Sequence, residues 1–251
     1  MAVLNKRSIE WALQVLRERY GERPAKRFGD GVSVLVGTIL SQNTSNANSS
    51  AGYRQLRRRF ASWDEVADAP TEEVERHIRV SGLSNIKAPR IQTILRAIRT
   101  ERGRINLQFL ADEPLPDAVR YLLKFPGVGM KTASCVLLFA FGRGVFPVDT
   151  HIHRIARRLG WVSDRASADD VQNAIEPLTP EPDRYALHVL LIDHGRATCR
   201  AISPKCGECA LRRRCDTGRS ALPTEANDDK PFRRGTIRTV IRTRRSARRS
   251  D

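Results

Sequence analysis

Near the end of the chain, CRAISPKCGECALRRRC sets Cys199, Cys206, Cys209 and Cys215 in the spacing C-x6-C-x2-C-x5-C. Four thiolates that converge on one point bind a metal ion or a cluster, and in a reducing compartment they are not expected to pair as disulfides. Zinc and an iron-sulfur cluster both accept four thiolates, so the spacing alone leaves the two open. Arg200, Lys205, Arg212, Arg213 and Arg214 surround the ligands and would offset the negative charge of such a centre. His194 is either a substitute ligand or a structural histidine, and Cys135, alone in an apolar run, is expected to be a buried core thiol.

A second constellation lies upstream. LKFPGVGMKTA places a Pro-Gly-x-Gly turn, with Gly127, Val128 and Gly129, between two helical patterns. Glycines admit backbone conformations closed to other residues, and the helix after the turn directs unpaired N–H groups and its positive dipole end outward, ready for a phosphate. The same turn also serves as a plain helix connector. Lys131 falls in the first turn of that helix, KTASCVLLFAF, which is apolar on most faces. A lysine of ordinary pKa, about 10.4, is neutral in roughly one molecule in 2,500 at pH 7. Partial desolvation and a helix N-terminus favour the neutral amine, which is a nucleophile. Asp149, eighteen residues on in PVDTHIHRIARRLGW, is either a helix N-cap or a carboxylate able to stabilise a developing cation and accept a proton.

The elements that must position these groups read as helices. Ser8 is placed to cap a helix with apolar positions Ile9, Ala12, Leu13, Leu16 and Tyr20, ending at Gly21. Similar faces follow Trp63 and run across 72–80, 87–99 and 115–124. VSVLVGTIL (32–40) is rich in β-branched residues, yet it has no partner strand, and a lone strand makes no sheet; it is expected to be a buried helix. Asp30-Gly31 lacks the flanking alternation of a hairpin. The fold class is therefore all-α.

The 251 residues include 44 Lys+Arg and 28 Asp+Glu, a net charge of +16, and only seven of the cations are lysine. Guanidinium groups match phosphate oxygens in pairs, which suits nucleic acid, although arginine-rich coding and solvated helix faces would produce the same count. At 40% hydrophobic residues the chain can bury one large core or two modest ones. No run of 18 or more apolar residues is present and the N-terminal segment is heavily charged, so no membrane partner is expected and the chain is placed in the cytoplasm at the bacterial nucleoid. Residues 217–251 hold ten Arg/Lys and four Asp/Glu with few apolar residues, and are expected to form a flexible basic tail.

Taken together, FPGVGMKTA, PVDTHIHRI, HGRATC and the cysteine run resemble the endonuclease III branch of the helix-hairpin-helix DNA glycosylases, in order and spacing, from about Leu35 to Cys215. The resemblance implies a six-helix barrel domain with the helix-hairpin-helix over 25–142, a cluster domain from 1–24 with 143–216, and a DNA-binding cleft between them. It also implies a 4Fe-4S cluster on the four cysteines, Lys131 as catalytic nucleophile and Asp149 as catalytic carboxylate. Gly127, Val128 and Gly129 match the phosphate-binding hairpin, Gln42 the residue that enters the gap left by a flipped nucleotide, Leu83 the wedge on the opposite strand, and His151 a pocket position. Around Gln42 the segment departs from the common pattern at Asn43 and Ser45, and Met130 replaces a basic residue often found before the lysine. The implied activity is a bifunctional glycosylase and AP lyase, acting as a monomer on duplex DNA with oxidised pyrimidines or abasic sites. The alternatives are a monofunctional mismatch adenine or thymine glycosylase, which normally lacks the lysine, and a cluster-bearing DNA-binding protein without catalysis.

Overall fold

The computed structural model describes residues 4–221. They form twelve helices: α1 (Lys6–Tyr20), α2 (Gly31–Ser41), α3 (Asn46–Arg59), α4 (Trp63–Asp68), α5 (Thr71–Ile78), α6 (Ser84–Arg102), α7 (Leu115–Leu123), α8 (Met130–Phe141), α9 (Thr150–Leu159), α10 (Ala168–Ile175), α11 (Glu181–Ala197) and α12 (Asp216–Ser220). Short 3-10 turns join several of them, and no strand occurs among the described residues. None of these helices is long and apolar enough to cross a membrane.

Segment 32–40 lies in α2. Asp30 caps it, accepting hydrogen bonds from the Val32 and Ser33 amides at 2.8 and 2.9 Å, which is worth about 1 kcal/mol. Val32, Leu35, Val36, Ile39 and Leu40 are buried, and α2 packs against α3, α6 and α8. β-Branched side chains favour strands because they fit pleated, half-buried surfaces; here the burial is supplied by helices.

Buried apolar side chains gather in two cores. One is built from α2 to α8, with Leu35, Phe60, Ile91 and Leu137 at its centre. The other joins α1 to α9, α10 and α11, with Leu16, Phe146, Ile155 and Leu190. The connector after α8 passes from one core to the other, since Val145 packs in the first and Phe146 in the second. That crossing sets α8 and α9, the helices bearing Lys131 and Asp149, on the boundary between the cores.

Two local expectations are corrected. The cap of α1 is Asn5 rather than Ser8: Asn5 Oδ1 accepts from the Ser8 amide at 3.0 Å and Ser8 Oγ accepts from the Asn5 amide at 2.9 Å, so Ser8 is the inner half of a reciprocal capping box. The expected tail does not begin unstructured at residue 217, because α12 runs to Ser220. The Gly218 amide donates to Cys215 Sγ at 3.3 Å and Arg219 pairs with Asp216 at 2.6 Å. Residues 222–251, the remainder of that tail, lie outside the described residues.

Candidate active site and thiol centre

A cleft of about 1220 Å³ opens where the two cores meet, and Gln42, Lys131, Asp149 and His151 all line it. Lys131 stands in the first turn of α8 and Asp149 is the N-cap of α9, with Oδ1 accepting from the Ile152 amide at 2.9 Å. Capping occupies one carboxylate oxygen. The other has no protein hydrogen bond among the described residues and is free for the cleft. Both readings of Asp149, cap and acid-base group, are therefore compatible in one side chain.

Lys131 is exposed, so the partial burial expected of it is absent from the free chain. The apolar faces of α8 turn to the core, while its first turn opens on the cleft. Cys135, one turn further, is buried and forms part of the cleft floor. Burial pushes its thiol up, with the Lys131 ammonium pulling it down and the Asp149 carboxylate pushing it up. Both charges thus bear on a single buried sulfur.

Beneath them lies His188, which sequence reasoning missed. It is buried on α11, and its Nδ1 donates to the Pro147 carbonyl at 2.9 Å, fixing the turn that delivers Asp149. Burial depresses its pKa to about 4; Asp149 and the Pro147 carbonyl act upward, Lys131 and Arg196 downward. A neutral ring that donates from Nδ1 presents Nε2 as an acceptor.

The hairpin glycines differ from one another. Gly127 has φ +70°, a backbone conformation that strains any side chain, and a Cβ there would have to push the Arg90 guanidinium aside. Gly129 is extended with open space around it, and its lack of a side chain leaves α8 without a side-chain cap. That uncapped N-terminus leaves backbone N–H groups without a side-chain acceptor, an arrangement that suits an anion. Val128 is buried in the first core, with its amide donating to the Phe125 carbonyl at 3.1 Å. It shapes the turn from within.

Gln42 is joined to the hairpin: Nε2 donates to the Gly127 carbonyl at 3.1 Å, and Oε1 accepts from Arg90 Nη1 at 3.2 Å. Leu83 does not line the cleft. It precedes α6 at φ 51°, ψ 36° and is 47% exposed. A bulky apolar residue in left-handed backbone, facing solvent, is costly and points to a contact with something outside the chain. His151 Nδ1 accepts from Arg154 Nη2 at 3.0 Å, and its ring lies against Gly195.

The four cysteines border one region beyond α11. Cys199, Cys206 and Cys209 are half-buried, Cys215 is buried, and none is joined in a disulfide. Burial pushes the Cys209 thiol up to about 11, and Cys215, Cys199 and Cys206 push it in the same direction. Cys215 is raised likewise. The four sulfurs therefore lie within one another's fields. Among the described residues no three His, Cys, Asp or Glu side chains gather closely enough to hold a single metal ion. Arg158 Nη1 donates to Cys199 Sγ at 3.4 Å, and Arg154 donates to the Cys199 carbonyl at 2.8 Å through Nη2. His194 is buried beside Cys209, with Nε2 3.6 Å from its sulfur and Nδ1 3.0 Å from the Tyr20 hydroxyl. It sits behind the thiols as a hydrogen-bonding neighbour.

Residues 36–181 match the HhH-GPD superfamily base excision DNA repair protein family. The endonuclease III of Thermotoga maritima is 35% identical over 187 residues, covering 74% of this chain and 83% of its own, and that of Synechocystis is 32% identical over 224 residues, covering 88% and 97%. A candidate DNA glycosylase of Arabidopsis thaliana is 38% identical over 162 residues, but the chain spans only 55% of its length. Among solved structures, a trapped endonuclease III-DNA covalent intermediate superposes with a TM-score of 0.74 at 28% identity, over 87% of this chain and 99% of that one. A thermostable thymine-DNA glycosylase shares the fold at 19% identity and a TM-score of 0.73. On these matches and the site they overlie, the chain belongs to the HhH-GPD superfamily of base excision repair DNA glycosylases, within its endonuclease III family.

Proposed function

We propose that the protein is a bifunctional DNA glycosylase and AP lyase that removes oxidised pyrimidines from duplex DNA at the bacterial nucleoid, acting as a monomer. The observation that carries this reading is the meeting of Lys131 and Asp149 in one cleft, next to the uncapped N-terminus of α8. A damaged base inside a duplex is out of reach, so it must be flipped out, at a cost of a few kcal/mol offset by phosphate and wedge contacts. The α8 N-terminus with the Gly127 turn would hold a backbone phosphate, and Leu83 would enter the stack.

The Lys131 amine then donates its lone pair to the sugar C1′ as the C1′–N bond to the base breaks and that bonding pair leaves with the base. Asp149 stabilises positive charge building on the sugar through its free oxygen, takes the proton that Nζ loses once it is bonded to C1′, and returns it to O4′ as the sugar ring opens. Ring opening yields an iminium between Nζ and C1′. Loss of a C2′ proton then expels the 3′ phosphate oxygen, nicking the strand, and water at C1′ returns the free amine. Because Lys131 is exposed in the free chain, the bound nucleotide itself must exclude water from the amine.

Cys199, Cys206, Cys209 and Cys215 would hold a 4Fe-4S cluster. The donor set fits: the thiols of Cys209 and Cys215, pushed up by burial and by the neighbouring sulfurs, are relieved when a positively charged metal centre takes them as thiolates, and the Arg158 guanidinium already faces Cys199 Sγ. Such a cluster would organise the arginine-rich loops over 200–214, and no chemical step on DNA is assigned to it.

Borohydride should trap a covalent adduct with duplex containing an abasic site or an oxidised pyrimidine, and Lys131→Gln should abolish it. Wild-type trapping by that variant would refute the assignment. Release of base without nicking would indicate a monofunctional glycosylase, and neither activity a DNA-binding protein.

A further inference from the structure

Lys87, in the first turn of α6, is 1% exposed, and its ammonium has no carboxylate partner among the described residues. Burial alone bears on its pKa, lowering it. An ammonium taken out of water without a counter-ion is costly, so a residue needed only to fill this space would be apolar. What the ammonium supplies is direction: Nζ donates to the Leu40 carbonyl at 2.8 Å and to the Ser81 carbonyl at 2.7 Å.

The first of these bonds finishes α2. The last carbonyls of a helix lack partners within it; here Thr38 accepts from Ser41 Oγ at 2.7 Å, Ile39 from the Gln42 amide at 3.1 Å, and Leu40 from Lys87. A cation is also favoured at the negative end of the helix dipole. Gln42 follows as the C-cap, two residues beyond Leu40. The second bond fixes the turn before α6. Ser81 closes the 3-10 turn Arg79–Ser81, and Gly82 and Leu83 follow at φ 66° and 51°. Lys87 holds that pair from both ends, because its amide donates to the Leu83 carbonyl at 2.9 Å while its ammonium holds Ser81. The left-handed conformation of Leu83, costly for a bulky residue, is thus fixed by a neighbour with both donors committed to it. Ser81 is seated in turn on α3, where a Cβ on Gly52 would have to push its hydroxyl aside.

One buried ammonium therefore joins two turns that are distant in sequence, and those turns carry Gln42 and Leu83, matched to the residues that enter a duplex from its two strands. We propose that Lys87 is a positioning residue for nucleotide flipping: its ammonium sets the spacing of the Gln42 and Leu83 turns so that the two side chains enter one step of the duplex together. This inference rests on the flipping mechanism proposed above.

The test measures binding to a duplex with a tetrahydrofuran abasic analogue, which Lys131 cannot convert to an iminium, beside the undamaged duplex at the same salt and in the cold, with helical circular dichroism confirming that each variant is folded. Lys87→Met keeps the length of the side chain and removes the donors. It should lower the preference for analogue over undamaged duplex by about tenfold, the loss expected when an interface anchor is displaced, and leave affinity for the undamaged duplex nearly unchanged. Lys87→Gln, a shorter amide that leaves at least one carbonyl unmet, should act in the same direction and serves if the methionine variant does not fold. Val66→Ala, a cavity in the same core on α4, should melt earlier yet keep the preference. In a Gln42→Ala, Leu83→Ala background, adding Lys87→Met should change the preference no further, because the side chains it places are gone. A preference within about twofold of the unaltered protein in a folded Lys87 variant overturns the inference, and so does an equal loss in Val66→Ala or a further loss in the truncated background. Failure of the unaltered protein to form a borohydride adduct tells against the proposed lyase chemistry instead, since the preference is read without any covalent step.

Discussion

His188 links the stability of the fold to the site above it, through pH. Its ring is buried, donates from Nδ1 to the Pro147 carbonyl, and has a pKa depressed to about 4. In the unfolded chain a histidine titrates near 6.5. Between those values the unfolded state binds a proton that the folded state refuses, so stability falls as pH drops through 6.5 and stops falling near 4. At pH 5 the unfolded form gains a factor of about 30, or roughly 2 kcal/mol, and the limit over the whole interval is about 3 kcal/mol. His188→Asn keeps an amide donor near the Nδ1 position and removes the titration. Urea unfolding at pH 8, 7, 6 and 5 should show the wild type losing about 2 kcal/mol more than the variant between the first and last points. The variant carries a constant penalty for lost volume, which does not change with pH. Parallel pH profiles for the two proteins would refute the reasoning, since the same slope would then come from groups other than His188.

Asp149→Asn keeps an effective N-cap on α9 and should shift the unfolding free energy by no more than about 0.5 kcal/mol, while reducing base release on an oxidised-pyrimidine duplex by 10²-fold or more; an active variant would reduce Asp149 to its cap. Lys87→Met leaves the buried Leu40 and Ser81 carbonyls unpaired and should cost about 2–4 kcal/mol, two unsatisfied acceptors less the desolvation of the lost ammonium. A change below roughly 0.5 kcal/mol in denaturant unfolding would contradict that. Gly127→Ala must accept a positive φ and displace Arg90, so its melting temperature should fall and its DNA affinity drop, whereas Gly129→Ala enters open space in extended backbone and should melt as the wild type does.

The site was legible in the sequence where the chemistry is local. Lys131 one turn after Gly127, Asp149 before a helical run, and four cysteines within seventeen residues need no knowledge of what packs against them. The helices also follow from apolar spacing, and α2 from the lack of a partner strand. What could not be read depends on partners distant in sequence. Arg90 reaches Gln42 across 48 positions, His188 reaches Pro147 across 41, and Lys87 reaches Leu40 across 47. No spacing rule encodes these pairs, because the fold alone brings them together. Gly127 and Gly129 look equivalent in Pro-Gly-x-Gly, yet only the first is constrained, by a positive φ and by a guanidinium that reaches it from another helix.

The same long-range contacts change what the basic composition means. Arg154 and Arg158 donate to the carbonyls of Cys199, Arg200 and Ala201. Arg184 closes on Thr179, Glu176 and Gly144, and Arg143 on Leu110 and Glu113. These cations answer main-chain oxygens that the ends of helices and loops leave without partners. Their charge still contributes to the long-range field that attracts a polyanion. Their N–H groups, however, are committed, and a guanidinium already holding two or three carbonyls cannot also clamp a phosphate without giving them up. The net charge of +16 therefore overstates the number of cations free to clamp a phosphate, and the guanidinium groups better placed to do so are those that line the cleft without an ion pair among the described residues, Arg54 and Arg196.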